Sequence, residues 1–152
     1  MKLHFLYGTE TGSAEMLCED IEEDLGAAFD CTITAMAEVD PQALDADTFY
    51  IFVTSTYGNG DLPSMAMPFY EALDAAQPDL SHVRFAVFGL GDMVFSATYN
   101  QGSERLMQKL IERGAKMVGE RGLHDASTAE MPEDLAIPWA HDVVAQLNAT
   151  AA

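Results

Sequence analysis

The sequence predicts an α/β fold: a five-stranded parallel sheet with helices on both faces, in a doubly wound arrangement. Three observations carry this expectation. Short apolar runs alternate with helical patterns five times along the chain, which implies strand–helix–strand units. The first helical pattern is apolar on one side only, as a helix lying on a sheet requires. The runs at residues 49–54 and 85–88 are apolar throughout, which suits strands covered on both faces.

The first strand is expected at residues 2–7. Ala14, Leu17, Cys18, Ile21 and Leu25 then recur at three- and four-residue steps, with Glu15, Glu19, Glu22 and Glu23 on the other side and Gly26 as a stop signal. A second strand at 31–36 leads to a short helix after Asp40-Pro41. A third strand at 48–55 precedes a helix at about 65–76, and a fourth at 84–90 precedes one at about 103–113, ending before Gly114. A weaker strand signal around 116–123 and a helix at about 133–147 complete the pattern. One domain over residues 1–148 is expected, with 149–152 as a frayed tail.

With 152 residues, 49% of them hydrophobic, the chain can bury the full core of one domain. Its 25 acidic and 7 basic residues give a formal charge of -18, which repels nucleic acid and anionic membrane surfaces. The acidity is uneven: residues 1–83 hold 16 Asp/Glu and one basic residue, Lys2, whereas 84–152 hold 9 Asp/Glu and 6 Lys/Arg, hence -15 against -3. Ordinary solvation explains this, and so does a face marked for electrostatic docking. The opening apolar run is too short for a signal peptide or a membrane span. Cys18 and Cys31 are not spaced as a redox pair and suit free thiols in a reducing compartment, so a cytoplasmic location is expected.

His4, His82, His124 and His141 lack metal-like spacing, so surface or structural roles and no metal site are expected. Trp139 and Met131 read as packing residues. Arg105, Lys109 and Arg113 are interspersed with Glu104 and Glu112 and read as a mixed solvated face.

In open α/β sheets, ligands bind outside the carboxyl ends of the strands. The loop after the first strand, Gly8-Thr9-Glu10-Thr11-Gly12-Ser13, combines two glycines and three hydroxyls with a following helix start, which is an anion cradle without a cation. Ser13 stands where a triphosphate-binding loop needs Lys, so that motif is excluded. After the third strand comes Ser55-Thr56-Tyr57-Gly58-Asn59-Gly60-Asp61-Leu62-Pro63, a flexible turn with a flat aromatic face. After the fourth comes Gly89-Leu90-Gly91-Asp92-Met93-Val94-Phe95-Ser96-Ala97-Thr98-Tyr99-Asn100, which lacks the third glycine of a dinucleotide fingerprint.

Together these loops ask for a ligand with one phosphate and a large flat ring, as FMN has. In order and spacing, Tyr7-Gly8-Thr9-Glu10-Thr11-Gly12-Ser13-Ala14-Glu15, Ser55 through Pro63, and Phe88-Gly89-Leu90-Gly91-Asp92 resemble the FMN-binding loops of the flavodoxin family. The resemblance spans nearly the whole chain. It is similar to short-chain flavodoxins and to the FMN modules of diflavin reductases, without room for the loop that long-chain members insert in the fifth strand.

The resemblance implies a flavodoxin-like strand order 2-1-3-4-5 and one FMN. Thr9, Thr11, Gly12 and Ser13 would bind the phosphate, with Glu10 in the same loop. Tyr57 would stack on one ring face, within a loop of Ser55, Thr56, Gly58, Asn59 and Gly60 whose glycine at 58 lets a peptide carbonyl turn toward the ring. Phe95 or Tyr99 would cover the other face. Gly89, Leu90, Gly91 and Asp92 would meet the polar ring edge, and Asn100 would help close the loop. The implied function is electron carriage between a reductase and an acceptor protein docking on an acidic face of a monomer, with no catalytic residue and no substrate turnover. Three rivals differ. An FMN-dependent NAD(P)H oxidoreductase of quinone reductase type needs an open pocket over one ring face. A phosphorelay receiver needs acidic residues where Tyr7-Gly8 and Ser55-Thr56 stand. A flavin-free adaptor has no need of the phosphate loop.

Overall fold

The structure, a computed structural model, describes residues 2–8, 12–26, 28–55, 66–91 and 101–151. Strand β1 (Lys2–Gly8) leads into helix α1 (Ser13–Leu25), β2 (Asp30–Ala35), β3 (Thr48–Ser55), α2 (Met67–Ala76), β4 (Arg84–Gly91), α3 (Gln101–Glu112), β5 (Lys116–Met117), β6 (Gly122–Asp125) and α4 (Pro132–Ala151). Two single-turn 3-10 helices, Met36–Glu38 and Pro41–Ala43, cross from β2 to β3. Asp40 starts the second of these, its carboxylate accepting from the Gln42 amide at 2.9 Å, as the Asp-Pro signal predicts.

All pairings described are parallel, and the order is β2-β1-β3-β4-β5 with β6 also on β4. This is the order the resemblance implies. Period-two alternation sorts the strand side chains onto two faces. Leu3, Phe5, Phe49, Ile51, Val53, Ala86 and Phe88 pack against α1 and α4. Leu6, Tyr50, Phe52, Phe85 and Val87 pack against α2 and α3. All eight residues of β3 are buried, which is why that run is apolar without alternation.

On α1 the residues Ala14, Leu17, Cys18, Ile21 and Leu25 are buried, the face read from the sequence. His141 on α4 meets the Asp24 carboxylate on α1. On the other side, Lys109 of α3 bonds Asp74 of α2 at 3.0 Å and lies 5.6 Å from the centre of the Tyr70 ring. Arg113 meets Glu112, so this face of α3 is mixed as expected.

Three details differ from the sequence reading. The fifth strand is in two pieces: Lys116 and Met117 pair with Arg84 and Phe85, while Gly122–Asp125 pair with Phe88–Gly91. Between them the backbone turns from β4 to α4, where the Glu120 carbonyl accepts from the Trp139 indole N–H at 2.9 Å. Helix α4 continues through Ala151, past the expected end at 147. Met131 is 55% exposed and does not pack, because it precedes the first turn of α4 outside its buried face. Trp139 does pack, at 5.2 Å between ring centres from Phe88.

Both cysteines are free, Cys18 buried and Cys31 half-buried, and burial pushes both thiols up from their usual range. His4 bonds the Thr34 hydroxyl at 2.9 Å, His82 the Leu44 carbonyl at 2.9 Å and His124 the Glu130 carbonyl at 2.7 Å. With His141 on Asp24, each histidine has a structural contact.

Candidate functional site

The strand register gathers the carboxyl ends of β1, β3 and β4 at one edge of the molecule. Gly8 pairs with Thr54, Thr54 with Gly89, and Ser55 with Leu90. On the far side Gly91 pairs with Asp125, and the Ala126 amide donates to the Gly91 carbonyl at 2.8 Å. The ends of the three motif-bearing strands are therefore hydrogen-bonded neighbours.

Six sequence-derived site residues are described: Gly12, Ser13, Ser55, Gly89, Leu90 and Gly91. All belong to strand ends or to the start of α1. The remaining expectations, on Thr9, Glu10, Thr11, Thr56, Tyr57, Gly58, Asn59, Gly60, Asp92, Phe95, Tyr99 and Asn100, lie outside the described residues.

Gly12 is the N-cap of α1 and adopts φ +89, the left-handed region that disfavours a side chain. Among the described residues, a Cβ built there would meet nothing within 4 Å. Ser13 opens the helix directly behind it. Open space before a helix start, with a glycine in place of a bulkier cap, suits a phosphate group, and the helix dipole favours its charge. Residues 3–83 contain no Lys or Arg, so the chain from residue 3 through α1 brings no cationic side chain to this helix start. These features fit FMN.

Gly8 marks a closer approach than its motif suggests. A Cβ on it would lie 2.7 Å from the Ala66 Cβ, 3.1 Å from Thr54 Oγ1 and 3.3 Å from Met36 Sδ. Thr54 is fully buried, and its hydroxyl donates to the Ser55 carbonyl at 3.4 Å. Another contact was absent from the sequence reading: the Tyr7 hydroxyl donates to Glu15 Oε2 at 2.5 Å, joining β1 to the first turn of α1. The eight-residue spacing of Tyr7 and Glu15 carries no periodic signal that would have found it.

The start of α3 has its own anchor. Arg121 Nη1 donates to Ser103 Oγ at 3.0 Å, and Nη2 lies 4.0 Å from Glu104, both in the first turn of α3. His124 and Asp125 pair alongside Leu90 and Gly91, so β6 borders the carboxyl end of β4.

The sequence profile described as Flavodoxin matches residues 5–139. The chain belongs to the flavodoxin family. This flavodoxin is an FMN-binding electron carrier. It is 35% identical over 132 residues to the protein MioC of Escherichia coli, covering 87% of this chain and 88% of that one. It is 34% identical over 142 residues to NADPH-dependent diflavin oxidoreductase 1 of Emericella nidulans, covering 88% of this chain but 21% of that protein. A solved cysteine-to-alanine mutant of flavodoxin from Pseudomonas aeruginosa superposes with a TM-score of 0.81 at 30% identity, covering 96% of this flavodoxin and 99% of that chain.

Proposed function

We propose that this flavodoxin carries single electrons from a flavin reductase to an acceptor protein and turns over no small substrate of its own. One observation carries the reading. The flavodoxin profile matches residues 5–139, and the ends of β1, β3 and β4, which carry the three FMN-binding motifs, lie side by side as hydrogen-bonded neighbours.

Bound FMN supplies the redox chemistry. The chain would supply position: Thr9, Thr11, Gly12 and Ser13 would hold the phosphate with Glu10 beside them, and Tyr57 would cover one ring face. The segment of Ser55, Thr56, Gly58, Asn59 and Gly60 would follow the ring, and Phe95 or Tyr99 would take its other face. Gly89, Leu90, Gly91 and Asp92 would meet its polar edge, and Asn100 would close the loop. The uneven charge, -15 over residues 1–83, favours basic partners docking on an acidic face of the monomer. No described helix is long and apolar enough to cross a membrane, and we assign the protein to the cytoplasm.

Anaerobic absorbance spectroscopy of the FMN-loaded protein tests this reading. NADPH alone should leave the flavin spectrum unchanged, whereas catalytic flavin reductase should bleach it and cytochrome c should restore it. Bleaching by NADPH alone at catalytic rates would establish the oxidoreductase reading instead.

A further inference from the structure

Glu15 occupies the third position of α1, two residues after Ser13. A Glu at that position reaches back to the amide at the helix start, forming one half of a capping box. In this chain that place lies at the Gly12 mouth, where a second anion would compete with a phosphate and repel it.

Glu15 is turned elsewhere. Its carboxylate accepts the Tyr7 hydroxyl at 2.5 Å, from the strand that precedes the phosphate loop. The donor is dependable at neutral pH, because this hydrogen bond first, and burial second, push the phenol up to about 12. Glu38 and Cys18 also act on the phenol, both in the same direction. The Tyr7 ring packs partly buried against the α1 and α4 side of the core, so the hydroxyl is delivered from a fixed ring.

We propose that Tyr7 is a positioning residue for phosphate recognition: its hydroxyl holds the Glu15 carboxylate away from the start of α1, reserving that place for the FMN phosphate and setting the preference for FMN over riboflavin. This rests on the FMN assignment and goes beyond it by naming a pair of residues that sets ligand selectivity from outside the phosphate loop. A merely structural tyrosine would affect both ligands alike.

The experiment is titration of the apoprotein with FMN and with riboflavin, followed by flavin fluorescence, for wild type, Tyr7→Phe, Glu15→Gln and the double variant. Tyr7→Phe keeps the ring and removes only the hydroxyl. Freed to reach the helix start, Glu15 should then weaken FMN binding by about tenfold and leave riboflavin within about twofold. Adding Glu15→Gln should restore FMN affinity, because a neutral amide does not repel the phosphate. Equal losses for both ligands, no loss for either, or failure of the double variant to recover would overturn the proposal. Should Tyr7→Phe not fold, Glu15→Gln alone decides: FMN affinity at or above wild type supports the proposal and weaker affinity refutes it. Wild-type protein that binds neither flavin would defeat the FMN assignment itself, a result distinct from an unselective Tyr7→Phe.

Discussion

Gly8 and Ala66 are in direct contact at the carboxyl edge of the sheet, so close that a Cβ on Gly8 would stand 2.7 Å from the Ala66 Cβ. The contact joins the end of β1 to the residue capping α2. Neither partner is the far end of a flexible side chain, so a methyl at Gly8 must move backbone.

Gly8→Ala should therefore lower stability by about 1–3 kcal/mol, the usual cost of overpacking. Thermal unfolding of the apoprotein measures it. Ala66→Gly in the same chain should return part of the loss, since the two sites share the clash. Additive losses would show that the obstruction lies with Thr54 or Met36.

Gly12 has open space but a forbidden backbone. With φ at +89 and nothing among the described residues within 4 Å of a Cβ, Gly12→Ala should cost about 1–2 kcal/mol through conformational strain. Gly12→Asn should cost less, because Asn tolerates this region better. If the strained chain relaxes by leaving the left-handed conformation, FMN affinity should fall more than riboflavin affinity. Comparative titrations with both ligands check this.

His4 makes stability pH-dependent. Burial lowers its pKa below the usual histidine value of 6.5, opposed by the Asp45 carboxylate, so the folded protein takes up the proton less readily than the unfolded chain. The unfolded state then binds more protons below about pH 6.5, and stability falls as pH drops through that value until the folded histidine protonates too. Wild type should lose Tm relative to His4→Gln between pH 7.5 and pH 5.5. A pH-independent difference between the two would remove His4 as the cause.

Partner docking should depend on salt. Attraction between an acidic face and a basic partner is screened over about 8 Å at physiological ionic strength, so stopped-flow electron transfer from a reductase should slow as salt rises. Reversing Glu10, Glu38 and Asp61 to Lys should slow it at low salt and remove most of the salt dependence. A bimolecular rate that is flat or rises with salt would make the acidity ordinary solvation.

Features that depend on neighbours along the chain are legible in the amino-acid sequence. Three- and four-residue spacing set the face of α1 that is buried, and unbroken apolar runs marked β3 and β4 as central, because burial on one or both sides of an element leaves a periodic trace. The helix start after β1 was legible likewise, with Gly12 as the cap and Ser13 as the first helical residue, because both signals come from consecutive residues. The tertiary structure alone decided what depends on residues distant in sequence or on pairings without a period. The contact of Gly8 with Ala66, the bond from Tyr7 to Glu15, and the bracing of α3 by Arg121 each join elements whose local sequences are silent about one another. The divided fifth strand belongs with them: its break is stabilised by the indole of Trp139, nineteen residues beyond Glu120, so the turn was invisible until α4 had been packed against the sheet.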